Sequence, residues 1–413
     1  MNILYINHYG GGPQYGMEYR PFYLAREWLR AGHEVTIVAA SHSHVRSTQP
    51  TTDGPFTREC VDGVNFVWCK TPAYQGNGVR RVFNIASFLY RLGQWSHWLS
   101  DKPDVVIASS TYPADIYPAR KLAQRHGATL VWEVHDLWPL SPMELGDMSR
   151  FHPFILWMQH AENTACRQAD IVISMLPKAE THLQQHGMSI KKFIHIPNGI
   201  DPAEWRNDVV TPLPAAHAAA IQKAHKQKHL LVAYAGAHGI ANALDSMLDA
   251  AALTRNAPIT WLLVGSGPEK TRLELRVKGE NLDRVVVLDA VPKVAIPPLL
   301  RSVDVLYIGL QRQPLFRFGI SPNKLMDYMM AGRPVICAID AGNDPVRDAN
   351  CGITIAPEDP VALADAVRHM CHLSAAERDR MGRSGRVYVE KNHLYPALAQ
   401  QFIDAIEKTR ADA

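Results

Sequence analysis

The 413-residue sequence predicts an α/β protein with two Rossmann-like, doubly wound parallel-sheet domains that face a cleft. Three observations support this prediction. Short apolar runs alternate with helical patterns, which is typical of parallel sheets covered by helices. The runs are mostly apolar, as in strands buried on both faces. The alternation stops once, between residues 201 and 228, and then starts again.

The first domain is predicted over residues 1–200. Its helices are expected at Pro21–Leu29, where proline suits the first turn, and at Ala114–His126. Its strands are predicted at residues 2–7, 34–39, 105–110, 129–135, 171–175 and 193–201.

A connector with a short surface helix is predicted over residues 201–228, which are rich in Pro, Ala, Lys and His. The second domain is predicted over residues 229–392, where strands such as HLLVAYAG and ITWLLVG repeat the pattern. An amphipathic helix, Tyr395–Lys408, closes the chain within residues 393–413.

Composition excludes several classes of protein. Hydrophobic residues make up 47% of the chain, so a packed core can form, and the net charge of +3 argues against a nucleic-acid binder. We find no apolar run of 18 residues, no signal peptide and no CxxC pair among the six cysteines. We therefore expect a cytoplasmic protein with reduced thiols and no partner among nucleic acids.

Glycine-rich turns follow three predicted strands, at Gly10–Gly12, Gly236–Gly239 and Gly265–Gly267. Glycine permits close approach of the backbone to a ligand, so Gly11, Gly12, His238 and Gly239 are candidate binding residues. None of these turns is a GxGxxG motif, and no acidic residue ends the second strand, which argues against a nicotinamide cofactor. Tight turns without a ligand remain the alternative.

The motif HDLWP, residues 135–139, ends a predicted strand at the edge where such folds bind ligands. Adjacent residues of an extended chain point to opposite sides, so His135 and Asp136 are not expected to form a dyad. His135 is the candidate for the cleft. A histidine with a purely structural role is the alternative.

The segment SPNKLMDYMMAGRPV, residues 321–335, predicts an anion site. Ser321 is a candidate N-cap and Pro322 suits the first helical position, so the N–H groups of Asn323 and Lys324 point outward. Lys324 adds charge to a helix end that attracts anions, and Asp327 lies on the same face. The pair suits the phosphates and ribose of a nucleotide diphosphate. A Lys–Asp pair on a solvated helix is the alternative.

These motifs, with IPNGID at 196–201 and GRSGRVYVEKNH at 382–393, resemble the retaining glycosyltransferases of family 4, which have the GT-B fold. The resemblance covers nearly the whole chain. It is greatest to enzymes of bacterial surface-polysaccharide assembly, including N-acetyl-fucosamine transferases of O-antigen clusters.

The resemblance implies transfer of a sugar from a UDP-sugar donor with retention at the anomeric carbon. The likeness to N-acetyl-fucosamine transferases implies that this sugar is an N-acetylated aminosugar. The acceptor would be a polyprenyl-diphosphate-linked saccharide or another saccharide. No metal and no other cofactor is expected, and the closing helix 393–413 would pack on the first domain.

The resemblance also assigns roles to single residues. Asp327 matches the ribose ligand of the family's paired-glutamate motif, but Gly319 stands where the first glutamate would be. Lys324, together with Arg317, would carry the phosphate charge, and His135 would contact the donor sugar.

Residues 78–99 combine Arg80, Arg81 and Arg91 with large aromatic side chains. One hypothesis is a peripheral contact with the inner membrane that reaches a lipid-linked acceptor. The alternative is a core-facing helix, because Val82, Ile85, Leu89 and Leu92 fall on one face.

Two other functions stay open. A GT-B sugar-nucleotide epimerase would convert UDP-N-acetylglucosamine without an acceptor. A non-catalytic nucleotide-sugar-binding subunit, which the missing glutamate at Gly319 motivates, would bind UDP but transfer nothing.

Overall fold

The computed structural model describes the chain as two compact α/β units. The residues described are 1–16, 19–76, 78–95, 102–206 and 211–412. The first unit contains residues 1–199, 318–320 and 395–413, and the second contains residues 200–317 and 321–394. The predicted fold class, two α/β domains with largely parallel sheets, is confirmed.

The strands come in two groups. In the first unit they are β1 (Asn2–Ile6), β2 (Glu34–Ala40), β3 (Phe56–Val61), β4 (Val64–Cys69), β5 (Val105–Ala108), β6 (Thr129–Val134), β7 (Ile171–Ser174) and β8 (Phe193–His195). In the second they are β9 (Leu230–Ala235), β10 (Ile259–Val264), β11 (Val285–Leu288), β12 (Val305–Gly309), β13 (Val335–Ala338) and β14 (Gly352–Ile355).

The helices alternate with these strands. They are α1 (Arg20–Arg30), α2 (Val79–Trp95), α3 (Ile116–His126), α4 (Leu140–Glu144), α5 (Pro153–Gln168), α6 (Glu180–Gln185), α7 (Ala215–Lys226), α8 (Leu244–Leu253), α9 (Lys270–Gly279), α10 (Ile296–Arg301), α11 (Asn323–Met330), α12 (Pro345–Asp348), α13 (Pro360–His372), α14 (Ala375–Asn392) and α15 (Tyr395–Ala411).

The first sheet has the strand order β3-β4-β2-β1-β5-β6-β7-β8, and every neighbouring pair is parallel except β3 with β4. The turn between these two strands is Asp62-Gly63, and both residues have positive φ, 48° and 86°. An Asp-Gly pair between strands favours a two-residue hairpin turn. The prediction of a parallel sheet is therefore wrong at this edge, and the Asp-Gly pair is the signal that identifies it.

The predicted strand at 193–201 is too long, because β8 ends at His195. The carbonyls of Ile196 and Pro197 instead accept hydrogen bonds from the guanidinium of Arg20, at 2.9 and 2.5 Å. Proline also removes a ladder donor at this point. The IPNGID segment therefore leaves the sheet to hold a buried cation.

The closing helix α15 packs on α1 in the first unit. The indole Nε1 of Trp28 donates to the carbonyl of Ala399 at 3.0 Å, and its ring lies 5.0 Å from that of Phe402. All three residues are almost completely buried. Removing this much apolar surface from water is the main source of stability at the contact.

The second sheet has the order β11-β10-β9-β12-β13-β14 and is parallel throughout. Its core includes Val232, Trp261 and Tyr307, all fully or nearly fully buried. Within the stretch predicted as a connector, α7 is a helix that packs on β9 and belongs to the second unit.

Glycines of the GRSGRVYVEKNH motif bring two helices together. A Cβ on Gly382 would lie 1.9 Å from the carbonyl oxygen of Gly332, just after the end of α11. A Cβ on Gly385 would lie 2.9 Å from the Cβ of Cys351. Part of this motif therefore serves the close packing of α14 on α11. Within the described parts of the chain, no helix combines the length and apolar character needed to cross a bilayer.

Candidate active site

A buried ion pair lies beside His135 in the first unit. Glu133, which is fully buried in β6, accepts hydrogen bonds from Arg20 Nε at 2.8 Å and from the hydroxyls of Tyr5 and Ser109. His135 Nε2 lies 2.8 Å from Ser109 Oγ and 3.2 Å from Glu133. Residues 133 and 135 share one side of the strand, so the carboxylate fixes the imidazole.

Electrostatics keep this carboxylate ionised. Burial by itself raises the pKa of Glu133, but the charge of Arg20 and the bonds from His135 and Ser109 outweigh it and hold that pKa well below its usual range. The pKa of Arg20 is raised, because its charge interaction with Glu133 outweighs the effect of burial. The pair is therefore charged at any physiological pH and unsuited to proton transfer.

His135 and Asp136 have different partners. Asp136 accepts hydrogen bonds from Leu137 N at 2.9 Å and from Ser141 Oγ at 2.6 Å, at the start of α4. This carboxylate therefore anchors the turn of the HDLWP motif, while His135 is held by Glu133.

The Gly10–Gly12 loop is a tight turn. Gly10 N donates to Asn7 O at 3.0 Å, and Tyr15 N donates to Gly12 O at 2.9 Å. Gly11 and Gly12 are both buried. The helix predicted at Pro21–Leu29 runs from Arg20 to Arg30, with Pro21 in its first turn as predicted. The loop is thus stabilised by its own backbone bonds, and the glycines are not at a helix N-terminus.

The second unit holds a largely buried lysine with neutral partners. Lys324 Nζ donates to Tyr234 OH at 2.9 Å and to Asn242 Oδ1 at 2.6 Å, and it lies 4.8 Å from the centre of the Tyr234 ring. Among the described residues, no carboxylate lies within ion-pair distance of this ammonium. Burial lowers the pKa of Lys324 to about 8.

Asp327 lies one turn further along α11. Burial raises the pKa of its carboxyl to about 7, a shift that Lys293 opposes and Glu204 reinforces. In the part of the chain that the structure describes, no hydrogen bond is made to this carboxylate. Asp327 can therefore accept hydrogen bonds from a ligand, such as a pair of vicinal hydroxyls.

Helix α11 starts one residue later than predicted. Pro322 is the N-cap, with extended ψ of 125°, and Asn323 is the first helical residue. The prediction of Ser321 as the N-cap is therefore wrong, because Pro322 occupies that position and its side chain makes no capping hydrogen bond. The residue before a proline is disfavoured from helical conformation, which places Ser321 outside the helix. The first N–H groups, at Asn323 and Lys324, have no intrahelical acceptor.

Two glycine turns of the second unit pack against each other. A Cβ on Gly265 would lie 1.9 Å from the carbonyl of Gly236, and one on Gly267 would lie 2.4 Å from that of His238. His238 N donates to Ser266 O at 2.8 Å. The glycines of VGSGPE are therefore required by packing, as the alternative of plain turn chemistry predicts.

This packing buries His238 completely, yet neither of its ring nitrogens has a hydrogen-bond partner in the described structure. Burial, with contributions from Lys270 and Lys324, lowers the pKa of His238. Buried polar atoms without partners are rare and costly, so they call for a ligand or ordered water. Gly239, the next residue, begins the 3₁₀ turn that carries Asn242 to Lys324.

Comparison with known families assigns both halves of the chain. Residues 15–199 match the family described as Glycosyl transferase 4-like domain, and residues 229–372 match the family described as Glycosyl transferases group 1. The chain is a glycosyltransferase. The resemblance to this group of enzymes is thus confirmed at the level of both domains.

Individual relatives of this glycosyltransferase are distant. WcaI of Escherichia coli K12, named for glycosyl transfer in colanic acid biosynthesis, is 21% identical and covers 92% of this chain and 93% of its own. Sucrose-phosphate synthase of Thermosynechococcus elongatus aligns over 100% of both chains with a TM-score of 0.74 at 18% identity. HepE of Anabaena, in complex with UDP-glucose, aligns over 100% of both chains with a TM-score of 0.65 at 16% identity. These structures confirm the GT-B fold.

Two further positions were expected to contribute to the phosphate and sugar site, Arg317 and the position of the family's first glutamate. Arg317 is exposed and donates to the carbonyl of Pro314 at 2.7 Å, and its role in phosphate binding stays a prediction. Gly319, where the family has its first glutamate, is buried with φ of 97°. A side chain there would be strained in this left-handed conformation, so the backbone itself accounts for the missing acid.

Helix α2 has both a core-facing and an exposed side. Of the predicted apolar stripe, Ile85 and Leu92 are buried, together with Phe88, whereas Val82 and Leu89 are half-buried, so most of this stripe faces the core. Arg81 is also directed inward, with its guanidinium over the ring of Tyr9. The exposed apolar side chains are Val79, Phe83 and Tyr90, each about two-thirds accessible. Trp98 lies outside the described residues.

Sequence reasoning missed four residues that position these groups: Arg20, Glu133, Tyr234 and Asn242. A charged residue inside an otherwise apolar strand, as Glu133 is in TLVWEV, is the signal that could have found one of them. Asn242 lies in a loop without a pattern, and its contact with Lys324 is visible only in the fold.

Proposed function

We propose that this glycosyltransferase moves a sugar from a UDP-sugar to a saccharide acceptor, with retention of anomeric configuration, in the assembly of a bacterial surface polysaccharide. The similarity to WcaI supports the polysaccharide role, and the UDP-glucose complex of HepE supports the donor class. An N-acetylated aminosugar is our proposal for the transferred group.

The observation that carries the proposal is Lys324. It is a mostly buried cation with only neutral partners, at the first turn of α11, whose first N–H groups lack intrahelical acceptors. A diphosphate would supply the missing negative charge. Asp327, one turn away, would accept hydrogen bonds from the ribose hydroxyls, and the N–H of the His238 ring would donate to a phosphate oxygen.

The mechanism follows from where charge develops. As the glycosidic bond breaks, negative charge grows on the departing diphosphate, and fixed donors aimed at it lower the barrier. Lys324 and the N–H groups at Asn323 and Lys324 would act there. Glu133 is held in its ion pair and is a poor nucleophile, which favours a front-face reaction in which the leaving phosphate deprotonates the acceptor. His135, oriented by Glu133, would contact the donor sugar.

A polyprenyl-diphosphate-linked acceptor would require the enzyme to work at the inner membrane from the cytoplasmic side. The exposed side chains Phe83 and Tyr90, beside Arg80, are the residues we propose for this peripheral contact. Phe83→Ser should reduce sedimentation with liposomes of anionic lipid at low salt, while Val387→Ser, at another exposed apolar side chain, should not. Equal sedimentation of both variants and of the unaltered protein would contradict this surface.

A donor screen tests the function. UDP and a panel of UDP-sugars should raise the thermal midpoint, and a bound donor should be consumed with a saccharide acceptor to give a product of the same anomeric configuration by NMR. Lys324→Met should abolish most turnover. Binding of UDP without any turnover would favour the non-catalytic subunit, and conversion of UDP-N-acetylglucosamine without acceptor would favour an epimerase. A protein that binds no uridine nucleotide would contradict the proposal.

A further inference from the structure

A cluster of potential metal ligands lies in the first unit and has no role in the proposed reaction. Glu162 on α5, His182 on α6 and His186 just after α6 each offer one ligand atom, and the three atoms lie within 4.8 Å of one another. Glu162 is fully buried, His182 is nearly so, and the His186 side chain is 24% exposed. One side of the cluster is thus open to solvent.

The spacing of the two histidines suits one ion. His182 and His186 are four residues apart, so both rings lie on one face of a helical turn, and their centres are 4.5 Å apart. His182 Nε2 lies 2.9 Å from Glu162 Oε1, and His186 Nε2 lies 3.8 Å from Glu162 Oε2. Both imidazoles therefore present the same nitrogen to the same carboxylate.

The surrounding hydrogen bonds prepare His186 as a ligand. Its Nδ1 lies 2.9 Å from both Asn163 Oδ1 and the amide nitrogen of Gln159. In the tautomer in which Nδ1 donates to Asn163, Nε2 keeps a lone pair for a metal. The amide nitrogen of Gln159 lies 2.7 Å from Glu162 Oε2 and 3.0 Å from Asn163 Oδ1.

The charge of Glu162 also lacks compensation. In the described chain, no lysine or arginine lies within ion-pair distance of this buried carboxylate; its partners are the two histidines and Gln159. A buried charge is costly unless it is paired or coordinates a metal. Glu133, the comparable buried acid of the same unit, has Arg20.

We propose that Glu162, His182 and His186 bind a divalent transition-metal ion such as Zn²⁺, with water as the fourth ligand. Two histidines and one carboxylate are an established zinc ligand set with one open position. Zinc bonds of about 2.0–2.2 Å require the three ligand atoms to be roughly 3.3 Å apart. The two carboxylate–histidine separations, 2.9 and 3.8 Å, bracket this value, and the two histidine nitrogens lie within 4.8 Å of each other, so binding would need only small side-chain adjustments.

Such an ion would stabilise the packing of α6 on α5. The ring of His182 also lies 5.5 Å from that of Phe318, and Lys178 N donates to Phe318 O at 2.9 Å. The metal would therefore fix the helix on which residues 318–320 rest within the first unit.

The test uses the full chain after removal of metals with EDTA. Titration with Zn²⁺ should show one tight site, and Co²⁺ should give the intense visible absorption of a four-coordinate ion. At a hundredfold excess over the dissociation constant, Zn²⁺ should raise the melting midpoint by at least about 4 °C.

The ligand variants should separate this site from casual binding elsewhere. His186→Gln, which alters a partly exposed side chain, and His182→Gln should each weaken Zn²⁺ binding by about a hundredfold or more. His160→Gln, on α5 but bonded to Tyr117, should bind like the unaltered protein. Equal affinity of His186→Gln and His160→Gln, or a Co²⁺ spectrum of a hydrated ion, would overturn the proposal and leave a purely hydrogen-bonded cluster.

Discussion

Arg20 and Lys324 are both buried cations, one in each unit, but their surroundings differ. Arg20 bonds to the carboxylate of Glu133 and to two backbone carbonyls, so its charge is neutralised. Among the residues that the structure describes, Lys324 bonds to a hydroxyl and an amide oxygen and to no carboxylate. The pKa of Arg20 is raised, whereas that of Lys324 falls to about 8.

This difference distinguishes a cation that stabilises the fold from a cation that is available to a ligand. A buried ion pair with complete hydrogen bonding is strongly disrupted by loss of one partner, because the other charge remains buried alone. A buried cation with neutral partners costs stability, and it gains most when an anionic ligand arrives. We therefore assign the Arg20–Glu133 pair to the scaffold and Lys324 to the donor.

The largest expected effect is on stability in the first unit. Arg20→Met should lower the free energy of unfolding by about 3–5 kcal/mol, because Glu133 would be left buried and unpaired. Lys324→Met, which leaves no unpaired carboxylate, should be neutral or stabilising. Chemical denaturation followed by tryptophan fluorescence measures both. Equal losses of unfolding free energy in the two variants would contradict the distinction between a stabilising Arg20 and a ligand-binding Lys324.

The next effect is on turnover in the second unit. Lys324→Met should lower kcat by about a hundredfold or more, because the leaving diphosphate loses a charged donor as its charge grows. Donor binding, measured by calorimetry with UDP, should fall less than turnover. A variant with unchanged kcat and only a raised donor KM would show that the N–H groups of α11 carry the leaving-group role instead.

Asp327 should act at binding rather than at chemistry. A carboxylate that holds the ribose equally in ground and transition states affects KM more than kcat. Loss of a charged hydrogen bond costs about 1.5–3 kcal/mol, so Asp327→Ala should raise the donor KM roughly ten- to a hundredfold. Asp365→Ala, at an exposed acid on α13, is the control and should change neither constant. A drop in kcat alone would contradict the ribose assignment.

The smallest effect is the pH dependence, which reports both residues of α11. The carboxylate of Asp327 forms as pH rises through about 7, and the ammonium of Lys324 is lost as pH rises through about 8. The plot of kcat/KM for the donor against pH should therefore be bell-shaped, with its maximum between pH 7 and 8. At pH 9 the value of kcat/KM should be about tenfold below that maximum.

Two variants assign the limbs of this profile. Lys324→Arg keeps its charge, so its residual activity should lack the alkaline limb. Asp327→Asn cannot ionise, so its residual activity should lack the acidic limb. A profile that is identical in both variants would show that other groups titrate.

Part of the predicted site lies on one helix. Lys324, Asp327 and the start of α11 are close together as helical spacing predicts. The roles of Arg317 and of the Gly10–Gly12 loop in binding the donor stay predictions. Loops lack a period, so their neighbours are not readable from sequence.

Local patterns in the sequence determined most strands and the two-unit division, because burial imposes a period on consecutive residues. They also predicted helix α11 with Lys324 and Asp327 on it, while its role as an anion-binding helix stays a prediction. Only the tertiary structure decided which distant groups meet: Arg20 with Glu133, 113 residues apart, and Lys324 with Asn242, 82 residues apart. The reason is that the periodicity of apolar residues specifies which face of a helix or strand is buried. The partners of a buried charge depend on how whole helices and strands pack against one another.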